Sequence, residues 1–178
     1  MDIPKHAQGF TLIELLTALA VVAITIGFSI GFTHLISSQR LVSEMNSLIA
    51  DMNYARSEAI KSGSEVVVCI SSGGLACDRG SRWHRGWIVF HDLDGDRRRD
   101  ADEPVKRRQN ALQTTTIRYR GFPSRRFVRF LPNGFTDNNG TFSFCAPSPA
   151  DFERAVILSK SGRLRKATRA GDGAAIAC

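Results

Sequence analysis

Five cations fall within ten residues near the C-terminus: Lys160, Arg163, Arg165, Lys166 and Arg169, in the stretch SKSGRLRKATRAGDG, with no acid until Asp172. If Arg163 and Arg165 lie on a strand, the two-residue period puts both guanidinium groups on one face and turns Leu164 toward the core. Gly162, directly ahead of them, lets the backbone bend or approach another segment closely. Two parallel guanidinium forks suit phosphate oxygens, which they grip bidentately. The competing reading is a solubilising basic strand edge that blocks edge pairing. Charge is split along the chain: residues 1–103 hold 10 Lys and Arg against 13 Asp and Glu, whereas residues 104–178 hold 14 against 4. Such a split raises the case for a polyanionic partner, nucleic acid or an acidic membrane surface, although on charge alone a solvated basic face that only aids solubility is the favoured reading. Lys106, Arg107, Arg108, Arg118, Arg120, Arg125, Arg126 and Arg129 could extend the same surface, but sequence does not say which share a face. Contacts of this kind go to phosphates and carry no base sequence information.

A second cluster is acidic. In DLDGDRRRDADE, Asp92, Asp94, Asp96, Arg98, Asp100 and Glu103 occupy positions 1, 3, 5, 7, 9 and 12, the rhythm of an EF-hand calcium loop, in which position 7 uses its backbone carbonyl. Arg97 stands at position 6, where the sharp turn needs Gly, and Arg97 to Arg99 offset the charge a cation would meet. The flanks read as strands. A hairpin loop in which Asp side chains accept nearby backbone N–H groups is therefore favoured over a calcium site.

Nothing in the chain reads as an enzyme or calls for a cofactor. There is no G-x-S-x-G, no H-E-x-x-H and no Gly-rich phosphate loop, and the four histidines, His6, His34, His84 and His91, are scattered. Trp83, His84 and Trp87 read as packing or capping residues. Cys69, Cys77, Cys145 and Cys178 form no C-x-x-C and have no His at ligand spacing, which argues against zinc. Outside the cytoplasm two disulfides are their natural use; proximity suggests Cys69–Cys77, leaving Cys145–Cys178 to pin the last residue to an internal strand.

These groups need a scaffold. From Leu15 to Phe32 there are 18 residues without formal charge, about 27 Å as a helix at ~1.5 Å per residue, just enough to span a hydrocarbon core. Glu14 precedes this run, in the first turn, where a negative charge complements the helix dipole. Beyond it, Leu41, Met45, Leu48, Met52, Ala55 and Ala59 recur at steps of four and three, so the helix is predicted from Phe10 to Ser62, stopped by Gly63. From Glu65 the pattern is of short strands: EVVVCI, GWIVFHD, VKRRQ, TTIRYRG, RFVRFLPNG, GTFSFCA and AVILSKSGRLRKA. One long helix followed by an antiparallel sheet is an α+β fold.

The stretch GFTLIELLTALAVVAI resembles the class III leader and N-terminal helix of type IV pilins and type II secretion pseudopilins. ARSEAIKSG, GWIVFHDLDGDRRRDADEP and RFLPNGF resemble the FimT/GspH branch of those proteins. The resemblance implies a leader over residues 1–9, cleaved by prepilin peptidase between Gly9 and Phe10, and N-methylation of Phe10. It implies a transmembrane and assembly half of the helix over 10–36, an amphipathic half over 37–62 packed on the globular domain, and a β-rich domain over 63–178. Glu14 would meet the N-terminal amine of a neighbouring pilin and set subunit register. The protein would sit in the inner membrane with its domain in the periplasm before joining a pilus or pseudopilus. In FimT-type proteins a Gly-Arg-x-Arg motif is associated with DNA binding in natural transformation, and Gly162-Arg163-Leu164-Arg165 matches it. The alternative is a structural minor pilin or pseudopilin that primes assembly and touches only protein.

Overall fold

The computed structural model describes residues 11–113, 115–146, 153–176 and 178, and of residues 27–38 the backbone alone. Gly9 and Phe10 lie outside the described residues. One helix, α1, spans Leu12–Ser62. It ends where Gly63 takes a left-handed φ of +64° and donates its N–H to the Ala59 carbonyl at 3.1 Å. Glu14 lies in its first turn. The chain divides into two compact units, Met1–Ser37 and Ser38–Cys178.

In the first unit every large apolar side chain from Leu12 to Ile26 is more than half exposed. No helix among the described residues is long and apolar enough to cross a membrane. The described apolar stretch is shorter than the ~20 residues a span requires, and the remainder of the expected 10–36 segment lies where no side chain is described.

The second unit carries the core. Leu41, Met45, Leu48, Met52, Ala55 and Ala59 are all buried, so the stripe read at steps of four and three is the packed face of α1. Burying each Leu or Met contributes about 1.5–3 kcal/mol. The helix is followed by β1 (Glu65–Ile70), β2 (Trp87–Asp92), β3 (Val105–Gln109), β4 (Thr116–Phe122), β5 (Phe127–Phe130), β6 (Asn139–Cys145), β7 (Arg154–Leu158) and β8 (Leu164–Ala167), with a 3-10 turn at Trp83–Arg85 before β2. AVILSKSGRLRKA is thus two strands and a turn. All pairings are antiparallel, in two four-stranded sheets ordered β3-β2-β1-β5 and β4-β6-β7-β8.

The helix stripe and the inner faces of both sheets share one core, in which Val66, Val68 and Val89 meet Ile117, Phe142, Val156 and Leu158. Trp83 joins the layers: its ring meets Phe142 edge-on at 5.1 Å and Tyr119 at 5.9 Å, and its indole N–H donates to the Arg125 carbonyl at 2.9 Å. A second cluster of Val67, Cys69, Ile88 and Phe90 covers the other face of the first sheet, with Cys77 packed against it. Both faces of β1 and β2 are therefore buried, which is why those strands read as unbroken apolar runs. Between α1 and the first sheet, His91 bridges Glu58 at 3.1 Å and Ser64 at 2.9 Å.

Disulfides join Cys69 to Cys77 and Cys145 to Cys178. The second ties the end of the chain to β6, an internal strand. Cys145 belongs to the outward row of β6 with Thr141 and Ser143, since Phe142 and Phe144 face the core. The tail therefore returns across the outer face of the second sheet, where the Gly171 N–H donates to Thr141 Oγ1 at 3.2 Å.

Candidate anion-binding surface

The β7–β8 hairpin holds the C-terminal cations. Leu158 pairs with Leu164, Ile157 with Arg165 and Val156 with Lys166. Its turn is closed by the Ser159 N–H on the Arg163 carbonyl at 3.0 Å and the Gly162 N–H on the Ser159 carbonyl at 2.9 Å. Gly162 is buried with φ +72°, and a side chain there would overlap the Gly134 carbonyl oxygen and press on Arg56. The Thr136 N–H donates to the Lys160 carbonyl at 3.0 Å. The turn is thus seated against the loop that follows β5.

Leu164 packs on the core while Arg163 and Arg165, on either side of it, are exposed. Lys160 stands at the exposed turn. Lys166 has the opposite parity to Arg165 and is exposed because β8 is an edge strand. Arg169 lies past β8, where its guanidinium donates to the Gly173 carbonyl at 3.3 Å. Among the described residues Lys160, Arg163, Arg165 and Lys166 form no ion pair.

The other cations separate into two groups. Arg107 is held by Asp51 at 3.1 Å and lies 4.1 Å over the Tyr54 ring. Arg129 pairs with Glu65 at 3.0 Å and with Asp137, and Arg108 lies against Gly74. Lys106 is exposed on β3 and Arg126 just ahead of β5, both on the first sheet. Arg118, Arg120 and Arg125 are different: with Arg82 they line a hollow of about 570 Å³ on the second sheet. Sequence reasoning missed Arg82, and no spacing could have revealed it. It arrives there through an isolated antiparallel bridge to Arg118.

The acidic loop is held by its own backbone. Asp92 accepts the N–H groups of Gly95 at 3.0 Å and Arg97 at 3.2 Å, Asp94 that of Asp96, and Asp96 that of Arg98. Glu103 accepts from Leu93 at 2.6 Å and Asp100 at 3.0 Å. Carboxylate oxygens of Asp92, Asp94 and Asp96 come within 4.8 Å of one another, without Asp100 or Glu103. Burial pushes the Asp92 carboxyl above the usual carboxylate range, a shift partly offset by the N–H groups it accepts.

Residues 44–162 match the family described as type II transport protein GspH. The chain belongs to the GspH family. Residues 4–30 match the prokaryotic N-terminal methylation motif. The Pseudomonas aeruginosa type IV minor pilin FimU is similar in fold: one crystal form has a TM-score of 0.59 and 20% identity over 76% of this chain and 95% of that one. A second form gives 0.56 and 21% over 74% and 97%. The minor pseudopilin EpsH of the Vibrio cholerae type 2 secretion system is 11% identical over 71% of this chain and 94% of its own, with a TM-score of 0.49. No curated protein matches at the sequence level. The GspH-family chain is thus a type IV pilin-like minor pilin or pseudopilin, of a family that is structural and not enzymatic. Membership implies assembly with other pilins and processing by prepilin peptidase.

Proposed function

We propose that this GspH-family protein is a minor pilin that binds extracellular DNA through the β7–β8 hairpin during natural transformation. One observation carries the reading: Arg163 and Arg165 flank a core-anchored leucine at the edge of a sheet, exposed and without an acidic partner among the described residues. Lys160 and Lys166 add to the charge that phosphates would meet, and the Gly162 turn fixes where the two guanidinium groups stand. Binding of this kind is electrostatic and falls steeply with salt. In this reading Phe10 is the methylated first residue after cleavage at Gly9, Glu14 sets register among pilins, and the protein rests in the inner membrane before entering a pilus.

The family description as a type II transport protein favours a second reading, a pseudopilin that primes assembly and contacts only protein. A gel shift with the full chain in detergent separates the two. The wild type is expected to retard duplex DNA at low salt, and the double variant Arg163→Gln/Arg165→Gln to lose that retardation. Equal retardation by both would remove the hairpin from the binding surface. No retardation by the wild type would leave the pseudopilin reading.

A further inference from the structure

A second concentration of positive charge lies on the outer face of the β4-β6-β7-β8 sheet, away from the hairpin turn. β4 alternates: Ile117 and Tyr119 are buried, while Arg118, Arg120 and Phe122 point outward. The bridge between Arg82 and Arg118 sets those two side chains opposite each other on the same face, about 5 Å apart at Cβ. Arg120 follows about 7 Å along the strand, and Arg125 also lines the hollow. None of the four guanidinium groups has an acidic partner among the described residues. Like charges placed directly across a sheet destabilise it, so this arrangement gains from an anion that settles between them. His84 also lines the hollow, with its Nδ1 buried and without a hydrogen-bond partner.

The hollow continues. At Arg120 and Ser143 it adjoins a second one of about 300 Å³, whose opposite wall is the returning tail at Ala170–Asp172. Asp172 is the acid on that wall, and its Oδ1 accepts the Ala174 N–H at 3.0 Å. A path therefore runs over β4 and β6 between the Arg82 and Arg125 side and the disulfide-tied tail. Its volume falls in the ~300–1,000 Å³ range of pockets that enclose small organic ligands, enough for a nucleotide or two. Phe122, 71% exposed at the end of the Arg118–Arg120 column, is an aromatic surface beside that path. Cations tracking a backbone next to an exposed aromatic ring is the pattern that binds single strands without sequence preference.

The geometry points to a groove for single-stranded nucleic acid on this face, with phosphates on Arg82, Arg118, Arg120 and Arg125 and a base stacked on Phe122. The assignment rests on residues that the hairpin reading does not use, so each can fail alone. Fluorescence anisotropy of the full chain in detergent tests it, using labelled oligothymidylate and a labelled duplex of equal length between about 50 and 200 mM salt. Arg118→Gln/Arg120→Gln is expected to weaken oligothymidylate binding at least about tenfold and to flatten its log–log salt slope by about 1.4, two phosphates at ~0.7 each. Phe122→Ala is expected to weaken it about tenfold with the slope unchanged, because stacking releases no counterions. Arg163→Gln/Arg165→Gln, whose side chains meet phosphates of either ligand, is expected to weaken oligothymidylate binding less than Arg118→Gln/Arg120→Gln does and to leave the further loss caused by Phe122→Ala unchanged. Wild-type affinity in both groove variants, or no binding of oligothymidylate by the wild type, overturns the groove whatever the duplex does. Unchanged duplex binding by the hairpin variant overturns the hairpin and leaves the groove standing.

Discussion

The Arg56 side chain donates through Nε to the Gly134 carbonyl at 2.9 Å, and that carbonyl occupies the space a side chain at position 162 would need. The helix, the loop after β5 and the turn carrying the cationic motif thus meet at one oxygen. The glycine of Gly162-Arg163-Leu164-Arg165 is there for packing as much as for its φ of +72°.

Gly162→Ala is expected to cost more than the ~1–3 kcal/mol of a left-handed non-glycine residue, because the new Cβ must also displace the Gly134 carbonyl. Gly63→Ala supplies the comparison: its φ is +64° but nothing lies within 4 Å of the added atom, so only the backbone strain remains. Urea unfolding followed by tryptophan fluorescence measures both. Equal losses would show that the contact at Gly134 relaxes freely.

Asp51 on α1 accepts the Trp87 indole N–H at 2.9 Å and the Arg107 guanidinium at 3.1 Å. Removing it leaves a fully buried indole donor unpaired, which costs about 1–3 kcal/mol. Asp51→Ala should therefore lower the unfolding midpoint and alter tryptophan emission, whereas Arg107→Ala, which loses a half-exposed partner, should cost less. The reverse order would contradict the geometry.

Asp92 provides a pH test. Its carboxyl is raised in the folded protein, chiefly by burial. A raised group binds its proton more tightly when folded, so the stability it contributes is full below the ordinary carboxylate range and is lost as pH rises through the folded value. Asp92→Asn carries no such dependence. The melting temperature of the variant relative to wild type should move in the variant's favour from about pH 3.5 to pH 7. A difference that is flat, or that moves the other way, would rule this out.

Glu14 sits in the first turn of α1, exposed, with its N–H on the Thr11 carbonyl at 3.1 Å. Nothing in the Ser38–Cys178 unit includes it. Glu14→Ala is expected to leave that unit's unfolding unchanged while lowering the amount of protein in sheared filaments. Full incorporation of the variant would remove Glu14 from the account of register.

Much of the fold is legible in the sequence because its physics is local. The α1 stripe follows from steps of four and three, and the alternation of TTIRYRG from a strand with one wet face. Sheet membership is not local. β5 leaves its sequence neighbours to pair with β1, and β6 returns to β4, so nothing in RFVRFLPNG announces which sheet it joins. The cations show the same division. Arg163 and Arg165 could be placed on one side of Leu164 by periodicity alone. That Arg107 and Arg129 are held by acids, while Arg118 and Arg120 are joined by Arg82, depends on chain segments tens of residues apart.

The Cys145–Cys178 bond decides where the outer face of the second sheet takes its final shape. One wall of that channel is the tail it holds, and thiols stay unlinked in the reducing cytosol where the chain is made. Until the bond forms, the hollow between Arg120 and Ala170–Asp172 lacks a wall fixed to β6.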